Sequence, residues 1–137
     1  PYTTLFRSRR FHELFFTLSP DKAAIESNIR RALFLCDESA FRYYKDWEEK
    51  GYYNRIISAN INQSIRVDSV ACDFNSYPYV VTTYARQSLV RSSNITERSL
   101  VTRCRLLNSV RSDNNPHGFT MEQFNIVENR DLRTVER

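Results

Sequence analysis

Apolar residues recur every three to four positions along the first half of the chain and alternate along the second half. Phe11, Leu14, Phe15 and Leu18 fall at i, i+3, i+4 and i+7, which predicts an amphipathic helix over about Arg9–Leu18. Phe16 lies off that stripe, so the helix is expected to carry apolar surface beyond what one face can bury. A second helix is predicted to open at Ser19 as N-cap, with Pro20 at the first helical position and Asp21 favouring the positive helix start. Its buried stripe is Ile25, Ile29, Ala32, Leu33 and Cys36. A third helix is predicted from near Asp37 or Ser39, with Ala40, Tyr44 and Trp47 on one face and Tyr43 beside them. Gly51 interrupts it as a C-cap or kink, and Tyr52 to Ile57 adds a further turn or two.

Period-two patterns follow. Ile65 and Val67 alternate, then Val70, Cys72 and Phe74 alternate in the opposite phase, which predicts a β-bulge near Ser69. Asn75-Ser76-Tyr77-Pro78 is a turn signal. From Tyr79 to Arg91 a second strand places Val80, Thr82 and Tyr84 on one face and Val81, Thr83 and Ala85 on the other. Asn94-Ile95-Thr96-Glu97 reads as the next connection. Leu100, Cys104, Leu106 and Val110 mark a third strand, with Arg103 and Arg105 pointing to solvent. A loop over 111–118 leads to a last strand, Phe119 to Glu128, carrying Met121, Phe124 and Ile126. Helices followed by strands indicate an α+β fold, and the expected architecture is four antiparallel strands curving around the helices. The inward phase of those strands is expected to be mainly Val, Leu, Cys and Phe.

Composition narrows the function classes. The chain has 137 residues, 41% hydrophobic and 26% charged, which suits one globular domain. Two glycines, Gly51 and Gly118, cannot build a glycine-rich phosphate loop. The net charge is +4, and 17 of the 20 basic residues are arginine, spread along the chain without a basic run. A solvated, mildly basic surface is therefore favoured over a nucleic-acid face. Cys36, Cys72 and Cys104 have no metal-knuckle or redox spacing and read as small buried hydrophobes.

Candidate catalytic chemistry is sparse. His12 and His117 lack a carboxylate or second histidine at metal-ligand spacing, and both are expected at a surface or in a loop. Glu48 and Glu49 are adjacent in sequence and face different sides of a helix. No nucleophile elbow occurs. No catalytic residue, metal or cofactor is expected. Tyr43, Tyr44, Tyr52, Tyr53, Tyr77, Tyr79 and Tyr84 suit either helix-on-sheet packing or a partner surface. Asn62-Gln63-Ser64 and Asn94-Ile95-Thr96 match the N-glycosylation tripeptide, which has meaning only in a eukaryotic secretory context.

The first eight residues stand apart. Pro1-Tyr2-Thr3-Thr4-Leu5-Phe6-Arg7-Ser8 resembles the in-frame translation of the end of a short-read sequencing adaptor. Residues 1–8 are therefore expected to be an artefact and residues 9–137 a single domain, with the natural N-terminus missing.

One loop is more specific. Asn115-Pro116-His117-Gly118-Phe119 combines a fixed φ, a freely positive φ and a capping asparagine, the makings of a tight turn between two strands. An N-P-x-G turn followed by an aromatic residue resembles the signature of VirB-type inner-membrane assembly proteins of type IV secretion systems. The stretches RRFHELFFTLSPDKAAIESNIRRALFLCD, YYKDWEEKGYYNRII, VDSVACDFNSYPYVVTTYARQ, RSSNITERSLVTRC and LLNSVRSDNNPHGF resemble the TraK family of Bacteroides-type conjugative transposons. The resemblance implies a nuclear transport factor 2-like (cystatin-like) cone in the periplasm, anchored in the bacterial inner membrane by an N-terminal span absent from this sequence. It implies a structural assembly component of a conjugative DNA-transfer channel, not an enzyme. Its expected partners are a second copy, as a homodimer, and other channel components, with no direct nucleic acid. It carries an interaction role onto Asn115, Pro116 and Gly118, with Phe119 following and His117 variable. Phe11, Phe15 and Phe16 are, from their surplus apolar surface, a candidate dimer or partner helix. The same fold type also hosts isomerases, dehydratases and small-ligand binders, which need an inward Asp or His. A nucleic-acid module is the other alternative, and it needs a contiguous basic face.

Overall fold

The computed structural model describes residues 2–108 and 119–137. Helix α1 (Tyr2–Phe16) packs on the sheet, and Phe11, Leu14, Phe15 and Phe16 are all buried. Phe16 is not surplus: it stacks on His12 and meets Trp47 and Phe124. Single-stripe reasoning assumes one wet face, and near its C-terminus α1 is enclosed by the sheet and by α3. The helix continues through the octapeptide that resembles adaptor sequence, and Arg7 and Ser8 are buried there.

Helix α2 (Lys22–Leu33) starts three residues later than the expected cap. Asp21, in extended conformation, accepts from the backbone N–H groups of Ala23 and Ala24. A carboxylate satisfies two orphan donors where Ser19 was expected to serve. Cys36 is not on the α2 stripe; it lies past the helix end and pairs with Met121 in a parallel β-bridge. Helix α3 (Glu38–Glu49) is capped by Asp37, and helix α4 (Tyr52–Ser58) begins at Gly51. Gly51 has φ +79°, so it is a left-handed link between α3 and α4.

The strands are β1 (Asn62–Asp73), β2 (Tyr79–Val90), β3 (Asn94–Asn108) and β4 (Phe119–Glu136). They form one antiparallel sheet in the order β1-β2-β3-β4. The register slips between Val67 and Ser69, where the phase change predicted a bulge. The β1–β2 connection contains a cis Tyr77–Pro78 bond. Asn94 to Glu97, expected as a connection, opens β3 instead, with Thr96 buried and hydrogen-bonded to Thr134. Strand β4 runs eight residues past the expected end at Glu128. Three register shifts against β3 put extra residues in β4, and each bends it around the helices.

The concave face is more polar than expected. Val81, Ala85, Leu89, Leu100, Cys104, Leu106, Met121 and Phe124 are buried, but so are Gln63, Thr83, Gln87, Thr96 and Thr102.

Candidate interaction site

Two polar clusters line the inside of the cone. The first surrounds His12, which is 1% exposed and so is not a surface histidine. Its Nδ1 lies 2.6 Å from the Ser8 carbonyl oxygen, which can only accept, so Nδ1 carries the proton. Its Nε2 then accepts from the Thr102 hydroxyl at 2.7 Å. Ser8 and Thr83 share a further hydroxyl hydrogen bond. Burial lowers the His12 pKa to about 4, against a smaller raising effect of the Ser8 carbonyl. His12 is a neutral, satisfied core histidine, and among the described residues no carboxylate reaches it to make a catalytic dyad. His117 lies outside the described residues.

The second cluster closes the other end. Tyr52 donates to Gln63 Oε1 at 2.6 Å, and Gln63 Nε2 donates to the Phe16 carbonyl at 2.7 Å. Asn129 donates to Gln87 at 2.7 Å, and Arg98 pairs with Asp131 at 2.7 Å. Between these groups and Phe15, Trp47 and Tyr53 lies a cavity of about 80 Å³. The Tyr53 hydroxyl is buried without a hydrogen-bond partner among the described residues, and burial drives its pKa upward. Trp47 touches Phe15, Phe16, Tyr43 and Tyr52, so α3 and α4 seal the interior with rings.

Helix α3 clamps the free edge of β4. Phe124 N–H donates to Ser39 Oγ at 2.7 Å, Ile126 N–H donates to Tyr43 Oη at 3.0 Å, and Gln123 N–H reaches Asp37. Burial alone would raise the Asp37 pKa, but hydrogen bonds from the Ser39 side chain and backbone and from Gln123 hold it below the usual value.

Of the residues expected to carry function, Asn115, Pro116 and Gly118 lie outside the described residues. Phe119 opens β4 opposite Asn108. Phe11, Phe15 and Phe16 are 0%, 1% and 3% exposed, so as folded they present no docking face. Cys36 and Cys104 are buried, and burial raises both thiol pKa values, Cys36 to about 11, so both stay protonated and inert. Among the described residues no group of His, Cys, Asp or Glu is arranged to hold a metal ion, and no helix is long and apolar enough to cross a membrane. Tyr77, named above among the tyrosines suited to packing or a partner surface, and Phe74, read as part of the strand alternation, are both exposed at the β1–β2 turn and pack edge-on to Tyr79. Sequence reasoning missed the apolar side chains on β4, Val127, Leu132 and Val135, which are all exposed.

No family model and no curated protein matches this chain. Solved structures do. The soluble domain of TrwG, type IV secretion machinery of Bartonella grahamii, superposes with TM-score 0.69 at 12% identity, covering 93% of this chain and 92% of that one. The TraE protein, in complex with 4-(1H-pyrrol-1-yl)pyridine-2-carboxylic acid, matches with TM-score 0.69 at 9% identity, over 90% of this chain and 93% of that one. CagV, a VirB8 homolog of the type IV secretion system of Helicobacter pylori, matches with TM-score 0.53 at 16% identity, over 90% and 93%. The chain therefore has the nuclear transport factor 2-like α+β fold of these secretion-machinery domains.

Proposed function

We propose that this chain is the periplasmic domain of a non-catalytic assembly component of a conjugative type IV secretion apparatus, of the TraK type found in Bacteroides-type conjugative transposons. The observation that carries this is the end-to-end match to the TrwG domain, over 93% of this chain and 92% of that one. The sequence stretches quoted above point to the same class independently.

The interior supports a structural part over a ligand site. Phe11, Phe15, Phe16 and His12 fill the cone. The cavity between Phe15, Trp47 and Tyr53, about 80 Å³, is far below the roughly 300–1,000 Å³ of pockets that hold small molecules. The inward histidine is neutral and sealed, so His12 does not supply the base that an isomerase or dehydratase needs. A nucleic-acid face is disfavoured because most outward arginines of the sheet pair with carboxylates, which leaves no long basic stripe among the described residues. Arg66 and Arg86 share Asp68, Arg130 pairs with Glu128, and Arg133 pairs with Glu97.

Within this proposal the domain acts by protein–protein contact, with itself as a homodimer and with other channel components. Asn115, Pro116 and Gly118 form the contact turn. The intact component is anchored in the inner membrane, and residues 1–8, which resemble adaptor sequence, are read as foreign to it. The test is complementation of a donor strain deleted for the gene. The full-length gene is expected to restore DNA transfer, and a Gly118→Val copy at equal protein level is expected not to. Normal transfer from the deletion strain would sink the assembly role. Normal transfer with Gly118→Val would sink only the role of the turn.

A further inference from the structure

Seven arginines lie in the strands, and five have a carboxylate partner. Arg66 and Arg86 meet Asp68, Arg98 meets Asp131, Arg130 meets Glu128, and Arg133 meets Glu97. The other two are Arg103 and Arg105, both exposed on the convex face of β3. Among the described residues neither forms an ion pair. Arg103 reaches only the Thr82 hydroxyl at 3.4 Å, and Glu122, across from Arg105 in the register, makes no ion pair with it.

The two guanidinium stems stand two residues apart on one strand face, about 7 Å along the strand. Beside them the β3–β4 register jumps, so that three residue steps of β4 span two of β3. Gln123 takes a left-handed φ of +52° at this bulge. The bulge opens a notch of about 220 Å³ lined by Val80, Arg103, Cys104, Arg105, Gln123 and Asn125. Asn125 Oδ1 accepts from the Tyr43 hydroxyl at 3.1 Å, which fixes the amide and leaves its Nδ2 donors over. The site is thus two unneutralised guanidinium groups beside side-chain amides, in a depression. Guanidinium forks match carboxylates bidentately.

We propose that this notch docks an acidic segment of a partner protein, whose carboxylates are taken by Arg103 and Arg105 with Asn125 and Gln123 as auxiliary donors. The proposal rests on the assembly role above and names the chemistry of one contact in it. Convex-face arginines elsewhere are neutralised within the sheet, so a partner carboxylate gains most here.

The test uses the ¹⁵N-labelled full chain and a capped tetraglutamate peptide, with capped tetraglutamine as control. Saturable shifts are expected at the Arg103 and Arg105 Nε–H and the Gln123 and Asn125 side-chain amides. They should weaken as salt is raised and be absent with tetraglutamine. Arg103→Gln with Arg105→Gln should lower the affinity about tenfold or more, and Arg66→Gln with Arg86→Gln should leave it unchanged. Thr82→Glu, which sets a carboxylate opposite Arg103 in the register, should also block the peptide, and serves if the double variant misfolds. Equal affinity in both double variants, or shifts spread over all arginines, would overturn the notch. Absent peptide binding while gene deletion still abolishes DNA transfer would refute the notch alone. Intact transfer after deletion would refute the assembly role and leave the measured peptide affinity standing.

Discussion

His12 shows how a buried titratable side chain makes stability depend on pH. An unfolded histidine takes up a proton near pH 6.5, whereas the folded one does so only near 4. Between those values the unfolded chain binds more protons, so stability falls as pH drops through the window. The loss attributable to His12 is expected to reach about 3 kcal/mol at pH 4. Urea unfolding at pH 7 and pH 4, compared between the natural chain and His12→Gln, measures it. Equal losses in both would show that His12 does not titrate as described. Gly51 carries a second single-residue prediction. A Cβ there meets only Arg55 Nη1 at 3.6 Å, an ordinary contact, so the cost of Gly51→Ala is backbone strain at φ +79°. That is about 1–2 kcal/mol, visible as a lower urea midpoint with unchanged slope. Neither residue's role was fully legible in the sequence. Gly51 was seen as a helix interruption, but whether it ended one helix or began another depends on a φ that composition does not encode. His12 has no carboxylate or second histidine at ligand spacing and so reads as a surface residue, but its partners, the Ser8 carbonyl and the Thr102 hydroxyl, are groups that spacing does not reveal.

The elements divide by what holds their edges. Strand β1 starts beside the residues that follow α1, where Leu18 and Gln63 exchange both backbone hydrogen bonds. Strand β4 is held along its first half by α3 side chains, and beyond Ile126 it pairs only with β3 among the described residues. Tyr43→Phe removes one hydroxyl that serves two groups, the Ile126 N–H and Asn125 Oδ1. The expected cost is about 1–3 kcal/mol, with faster amide exchange at Ile126 and unchanged exchange in β1 and β2. Uniform acceleration across the sheet would mean that the clamp is not local. The hydrophobic pattern marked β1, its bulge and β2 well, because both have one apolar face in clean alternation. It lost the end of β4, where Asn129-Arg130-Asp131-Leu132-Arg133 has no such alternation. That stretch is a strand because cross-strand groups hold it: Arg98 with Asp131, and Glu97 with Arg133. The start of β3 was lost for the same reason, since its inward residue there is Thr96 and its partner is another threonine. The N-P-x-G stretch has the clearest sequence signature of the candidate sites, and Asn115 to Gly118 lie outside the described residues. The Arg103–Arg105 notch was half legible, as outward arginines, because the bulge beside it is set by a backbone angle at Gln123.

At the scale of the whole domain, filling the cone separates stability from assembly, and the two can be broken independently. Phe15 is 1% exposed and touches Phe11, Phe16, Trp47 and Phe124. Phe15→Ala leaves a cavity in the middle of the core and is expected to cost about 3–5 kcal/mol. It should lower the thermal midpoint strongly. In whatever fraction stays folded, it should leave self-association as it was, because the ring faces inward. Gly118→Val acts on the N-P-x-G stretch, to which the proposal above assigns self-association. It is expected to leave the thermal midpoint nearly unchanged while weakening self-association and DNA transfer. Sedimentation over a concentration series, run at a temperature where both variants are folded, distinguishes the two. If Phe15→Ala abolished association in folded protein, α1 would have to leave the cone on assembly, and the domain would be a switch. If Gly118→Val lowered the midpoint as much as Phe15→Ala, the turn would be part of the fold's foundation. The expected pattern, one variant unstable yet associating and the other stable yet solitary, is what a rigid scaffold with its contacts on its surface must give.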